Sequence, residues 1–563
     1  MTQITLRLKY QTYFDDSETI ENLLSKFKKN DLLKAATYLI NRAKSEKSAI
    51  ETINNWFSNS SVKLALLAKT RVNTSILNVF SSLQLLSYIS VMEDSQEDVE
   101  YTKDEFEICL FKAYLLLNSQ QDVVEEKGQK NLPEDSHERL QASLLTLTYH
   151  DYDIQNYVLH EIFLSQLIKA IEFFQFMEKH DILQFHLNHF LNKYNCSTWQ
   201  GWVVKLLNII LPIITHNNDT YSEISLKTDK DFFQNKLFLT LFSIPIEYVE
   251  FPDFIQIRSN PLLKIDDEKF IIINKVFLVE RIFKSVIFEF SLKINKEIDR
   301  EKRIKDFRSL YCDFFSEQIL LYSITNNCFP KKNVKFAGES FKNQGYSSEP
   351  DFYVRVKNKI SLFESKDVIL KGEEKLSRDY KILSAGLKDK FLKVEKNGKV
   401  SKKAILQLIE NVERIFNKFY TKIDIDYNIE HLRIYPILMT HDRQFDAPNI
   451  NRILNTWFKE ELVTKVEKNH IEKIKSLVVI NIDTLILYQE YLKMRGIYGL
   501  EIIIDKYIES TKYNRGRTPR ESESNYLNSS ISFSNFCANY FESKRSNQIP
   551  NFIDTYIKKL KIG

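Results

Sequence analysis

Hydrophobic and polar positions change their period along the chain, and the change divides it into four parts. Residues 5–13 alternate enough for one strand, and then a helical period takes over. Over Ser17–Ile40, Leu23, Leu24, Phe27, Leu32, Leu33 and Ala36 recur at spacings of three and four. A second helical region spans Leu64–Ile89, broken once near Thr70–Ser75, and an acidic run over Glu93–Glu100 reads as a solvated connection. Helix resumes over Asp104–Leu117. The polar stretch Asn118–Glu138, with Gly128 and Pro133, reads as a loop. Helical patterns over Glu138–Tyr149, Ile154–Phe190 and Gln200–Ile214 complete an accessory region assigned to residues 1–218.

The pattern then becomes mixed. Strands are expected over Tyr248–Ile257 and as a pair over Pro261–Ile273 with an acidic turn, giving a small α+β bridging segment, 219–300. Beyond it an amphipathic helix is expected over Ile304–Ile324 and short strands over Val334–Ser340, Phe352–Val356 and Ser361–Lys366. A helix over Lys402–Phe419 and strands over Leu432–Thr440 and Leu477–Ile482 follow, with Asp483-Thr484 capping the next helix. The fold class expected for 301–495 is an α/β core, a mixed four- to five-stranded sheet flanked by helices. Residues 496–563 form a C-terminal helical and loop extension, with Lys512–Ser530 as a basic loop.

Composition sharpens this only in places. With 11 Gly and 11 Pro in 563 residues, long regular elements are favoured over a turn-rich β architecture. The net charge of +4 conceals an asymmetry: residues 1–250 carry about −9 and residues 251–563 about +13. The basic part suits a polyanionic partner; a lysine-rich solvated surface is the other reading. Five scattered cysteines without a CxxC pair argue against structural zinc and a disulfide framework. His186 and His189 share a helix face, where packing between Phe185 and Phe190 is preferred to a metal site. The N-terminus lacks an apolar signal core and no 18-residue apolar run follows, so a cytoplasmic protein is expected. No GxxxxGK[ST] motif occurs.

The chemistry concentrates in EPDFYVRVKNKISLFESKD, Glu349–Asp367. Two short strands flank a turn at Lys357-Asn358-Lys359. Antiparallel pairing about Asn358 brings Asp351 opposite Glu364–Lys366, and period two sets Glu364 and Lys366 on one face, about 7 Å apart. Two carboxylates and an ammonium group meeting at one end of a sheet suit metal-assisted hydrolysis of a phosphodiester. Asp351 and Glu364 hold Mg²⁺, with Mn²⁺ as the alternative, and Lys366 orients or helps deprotonate a water or neutralises phosphate charge.

Pro350-Asp351 followed by Glu364-Ser365-Lys366 resembles the PD-(D/E)xK nuclease superfamily, and the order helix, three strands, helix, strand over Ile304–Thr440 is similar to that superfamily's core. The resemblance implies Asp351 and Glu364 as metal ligands, Lys366 as the catalytic lysine, Glu317 as the acidic residue of the first core helix and an additional ligand, and Gln407 as the helical glutamine near the site. The QxxxY form is absent, since position 411 is Asn. It also implies a nuclease acting on nucleic acid, DNA before RNA, in the company of bacterial defence and mobile-element enzymes. Arg355, Lys357, Lys359, Lys371, Lys375 and Arg378 are read as contacts to nucleic-acid phosphates, and the basic insertion that continues through Lys396 as a cover over the substrate. The helical N-terminal region reads first as scaffold, with packing against the nuclease, sensing, and contact with a homodimer or protein partner left open. The competing reading is a non-catalytic nucleic-acid binding or structural protein on a nuclease-like fold.

Overall fold

The computed structural model describes residues 6–46, 48–93, 100–215, 222–245, 252–494, 499–542 and 551–561. The expected acidic connection, and the first half of the strand expected over Tyr248–Ile257, fall largely outside these residues.

A five-stranded sheet organises the molecule. Its strands are β1 (Val334–Ala337), β2 (Phe352–Val356), β3 (Lys359–Lys366), β4 (Arg433–Thr440) and β5 (Val478–Asn481), in the spatial order β5-β4-β3-β2-β1. β1, β2 and β3 form an antiparallel meander, whereas β3, β4 and β5 are parallel. A parallel pair needs a crossover, and for β3 and β4 it contains the helices Tyr380–Phe391 (α4) and Ala404–Phe416 (α5). The helix after β5, Ile482–Lys493, is capped by the Asn481 side chain, which accepts from the Asp483 N–H at 2.9 Å, so the cap lies ahead of the expected Asp483-Thr484.

Period two gives the sheet two buried faces. Tyr353, Ile360, Leu362, Ile434 and Leu438 pack with α4 and α5 on one face. Phe352, Val354, Phe363, Tyr435 and Ile437 face a core that runs from Leu8 to Leu560 and takes in the N-terminal helices, among them Lys103–Gln129 (α1) and Leu159–Lys179 (α2). The boundary expected near residue 218 therefore separates no core: the helical region is the second wall of the sheet. On this side lies a long continuous helix, α3, composed of Phe307–Leu310, a π-helical stretch Tyr311–Leu321 and Tyr322–Cys328. π-Turns add one residue per turn and frequently redirect side chains at functional sites; Glu317 sits within this one.

Three local expectations fail. Asn118–Gln129, the larger part of the stretch read as a loop over Asn118–Glu138, belongs to the 27-residue helix Lys103–Gln129, and 130–135 alone connects it to the next helix, Ser136–Thr148. Gly128 is there because the Arg378 carbonyl packs against it, leaving no space for a Cβ; glycine serves close backbone approach, not a turn. The C-terminal half of Tyr248–Ile257 is helical, with Asp253 and Phe254 at positive φ. Within the basic loop expected over Lys512–Ser530, Pro519–Asn528 is a helix that Thr518 caps by accepting from the Glu521 N–H. The hairpin within Pro261–Ile273 forms as expected, Leu262–Lys264 antiparallel to Lys269–Ile272.

Candidate active site

The ExK segment ends β3, and the strand pairing determines what stands beside it. Phe352 pairs with Phe363 and Tyr353 with Leu362. Extended by one residue, that register sets Asp351 directly across from Glu364. Alternation puts Asp351 on the Tyr353 face, and Glu364 and Lys366 on the Ile360–Leu362 face, which is the same face. A carboxylate pair is thereby built by two adjacent strands, and the sequence motif alone supplies both partners.

Hydrogen bonds fix the pair. The Ser365 N–H donates to Asp351 Oδ2 at 2.6 Å, and Lys366 Nζ donates to Glu364 Oε1 at 2.8 Å. Glu364 is 1% exposed, and its Oε2 has no hydrogen-bond partner among the described residues. Burial, reinforced by the charge of Asp351, raises the Glu364 carboxyl from 4.5 to about 8 against the opposing pull of Lys366. Asp351 is raised for the first of those reasons, with Lys366 and the Ser365 N–H working the other way. Glu317, on α3, accepts from the Tyr322 hydroxyl at 3.2 Å; burial and the nearby Asp351 charge lift its carboxyl to about 7. Burial disfavours the charge on Lys366, but Glu364 and Asp351 outweigh it and hold the ammonium above its ordinary pKa. The cluster is thus three acids that resist simultaneous ionisation, with one ammonium among them.

Those features bear on a hard divalent cation. An unpartnered buried carboxylate oxygen facing a second carboxylate fits the oxygen-ligand chemistry of Mg²⁺. A complete cage is not present: among the described residues, no group of three or more His, Cys, Asp or Glu is gathered closely enough to hold an ion. Glu317 influences Asp351 and Glu364 through its charge. The side chains that could contribute oxygens to such an ion are Asp351 and Glu364.

The opposite face of β3 carries a second set of polar residues that the motif did not reveal. Ser365 Oγ lies 2.8 Å from His441 Nε2, at the end of β4, and His441 Nδ1 stands 3.9 Å from Asp367 Oδ2. Burial pushes the His441 imidazole below its usual pKa, so it is neutral at pH 7. Burial also opposes ionisation of Asp367, but Arg308, His441 and Ser316 overcome it and hold the carboxyl down at about 2. The signal in the sequence was the polar run His441-Asp442-Arg443 closing an apolar strand; which strand it would face was set by the parallel β3–β4 register, Thr440 opposite Lys366.

The other sequence-derived residues separate. Gln407 lies on α5, half-buried, and its side chain makes no hydrogen bond to the acids among the described residues. Arg355 is held bidentately by Asp424, at 2.5 and 2.9 Å. Lys357 and Lys359 sit at the turn of the hairpin, about 20 Å of extended chain from Asp351. Lys371 is exposed at the start of the insertion. Lys375 and Arg378 are buried: Lys375 bridges Asp153 and Asp253, each at 2.8 Å, and Arg378 pairs with Glu125 and donates to Gln121 at 2.9 Å. Arg355, Lys375 and Arg378 are thus engaged within the fold and are not free to meet phosphate. Lys375 and Arg378 pin the insertion to the helical region because a long cationic side chain can be buried only beside matching carboxylates. His186 is buried, with Nε2 on Asn295 Oδ1 at 2.9 Å; Phe190 is buried beside it, whereas Phe185, expected to pack there too, is exposed. Among the described residues no helix is long and apolar enough to cross a membrane.

Comparison of the chain with protein-family models, with curated proteins and with solved structures returns no match.

Proposed function

We propose that the protein is a metal-dependent nuclease that hydrolyses phosphodiester bonds, with DNA as the preferred substrate. What supports this reading is Asp351, bonded by the Ser365 N–H at the end of β3, beside Glu364, whose Oε1 accepts from Lys366 and whose buried Oε2 has no hydrogen-bond partner among the described residues. A Mg²⁺ or Mn²⁺ bound there would polarise the phosphoryl group and acidify a bound water. Asp351 and Glu364 would hold the ion, and Glu317 remains outside the ligand set.

The proton chemistry follows from the same residues. Lys366, protonated well past neutral pH, does not serve as a base; its ammonium offsets negative charge developing on the phosphate. Glu317, titrating near 7, is matched to the working pH and is the group suited to take a proton from water. Tyr322 orients it by donating to Oε1. The Ser365 N–H keeps Asp351 turned toward Glu364.

The test is incubation of wild type, Lys366→Ala and Asp351→Ala with linear and circular duplex DNA, single-stranded DNA and RNA, in Mg²⁺, Mn²⁺ or EDTA. Metal-dependent products that fall on the order of 100-fold or more in both variants are expected. Products equal in all three proteins, or unaffected by EDTA, overturn the assignment. DNA binding that survives Asp351→Ala, with no cleavage by wild type in any metal, supports the non-catalytic binding protein instead.

A further inference from the structure

The crossover between β3 and β4 carries a two-stranded ribbon, Lys393–Lys396 against Lys399–Lys402, whose construction is electrostatically unfavourable. Its register sets Lys396 directly across from Lys399, and Lys393 across from Lys402. Like charges at opposed cross-strand positions destabilise a hairpin. The outer pair is relieved by acids: Lys393 meets Glu395 at 2.9 Å and Lys402 meets Glu410 at 2.8 Å. The inner pair, Lys396 and Lys399, has no ion pair among the described residues and is exposed, and the turn between them, Asn397-Gly398, has both residues at positive φ. That is the two-residue geometry that keeps a hairpin tight and brings the flanking lysines closest. Val400 is 57% exposed, so the second strand of the ribbon gains little from apolar packing.

Its place in the fold is the second observation. The ribbon leaves α4 just after Phe391, whose ring meets Phe445 edge-on at 4.9 Å, beyond the carboxyl end of β4. Thr440, at that end, is in register with Lys366. The ribbon then enters α5, which packs with the Glu364 face of β3. The roots of the ribbon therefore lie toward the end of the sheet that carries the acid pair, and the ribbon runs into a helix packed on the Glu364 face.

We infer that this ribbon is a duplex-DNA binding element, with Lys396 and Lys399 meeting backbone phosphates as the ribbon lies in the major groove beside the bond to be cut. The inference deepens the nuclease reading and rests on it for the position of the scissile bond, but not for the binding itself. A polyanion relieves the lysine–lysine repulsion that the ribbon cannot relieve alone. A two-stranded ribbon fits the groove of B-form DNA, about 12 Å wide, and is excluded from the deep, narrow major groove of A-form RNA.

The test uses the full-length protein in EDTA, so that no cleavage intervenes, with a fluorescent 30-base-pair DNA duplex, the same sequence as duplex RNA, and salt from 50 to 200 mM. Each phosphate contact contributes about 0.9 to the logarithmic salt slope. Lys396→Ala/Lys399→Ala is expected to lower that slope by about 1.8, so that wild-type affinity falls about 12-fold more than the variant's across the range. Thermal stability of the variant is expected to be unchanged or higher, and Lys34→Ala, exposed on the helix Lys29–Arg42, to leave the slope unchanged. An unaltered slope in the double variant, no binding of the DNA duplex by wild type at 50 mM salt, or equal affinity for the RNA duplex overturns the inference. Absence of metal-dependent cleavage with a ribbon-dependent slope would refute the nuclease reading and leave the ribbon standing.

Discussion

Replacing Glu364 by Gln should invert the usual expectation that removing a buried ion pair destabilises a fold. Glu364 titrates near 4.5 when unfolded and near 8 when folded, because burial and Asp351 oppose its ionisation more than Lys366 favours it. A carboxyl raised on folding contributes most below its unfolded pKa, and that contribution is lost as the pH climbs through 8. The full cost of ionising it in place is about 5 kcal/mol, from 1.36 kcal/mol for each pH unit between the two values. Lys366 adds no slope in this window, since its own titration lies above pH 10. Glu364→Gln removes the titration while leaving an oxygen for Lys366 Nζ. Its stability relative to wild type should therefore rise by about 4 kcal/mol between pH 5 and pH 9, because part of the full cost is already incurred at pH 5, whatever constant offset the lost ion pair introduces. For 563 residues that corresponds to about 3 °C in Tm. Thermal unfolding of both proteins across this range, without divalent metal, is the assay. A difference in Tm that does not change between pH 5 and pH 9 would refute the argument. Added Mg²⁺ should raise the wild-type Tm at pH 8 and leave that of Glu364→Gln nearly unchanged.

Two further outcomes follow from contacts away from the acid pair. Lys375→Met strands Asp153 and Asp253 beside Arg258 alone, and is expected to cost about 3–5 kcal/mol in urea unfolding while leaving the salt slope of DNA binding unaltered. A changed slope would return Lys375 to the phosphate-contact role read from the sequence. His441→Ala frees the Ser365 hydroxyl, and with it the strand end that presents the Ser365 N–H to Asp351; a drop of about 10-fold in Mg²⁺ affinity, measured by thermal shift, is expected, with recovery in His441→Gln. Equal affinities in wild type and His441→Ala would show that the histidine only packs.

The acid pair was legible in the sequence because everything it needs is local. Asp351 and Glu364 are joined by one hairpin, and period two with a tight turn fixes both their opposition and their shared face. The parallel strands were legible as apolar runs, and the ends of α5 and β4 as changes of period. What sequence could not give were distant pairings. Lys375 and Arg378 look like any basic insertion until Asp153, Asp253 and Glu125, more than a hundred residues away in the chain, are found beside them. Gly128 reads as a loop residue until the Arg378 backbone is laid against it. His441 acquires a partner only when β4 docks parallel to β3. Local periodicity determined which elements form and placed two carboxylates together. Only the tertiary structure decided which charges are buried against one another and which are left facing outward, because desolvation and Coulomb energy depend on neighbours in space.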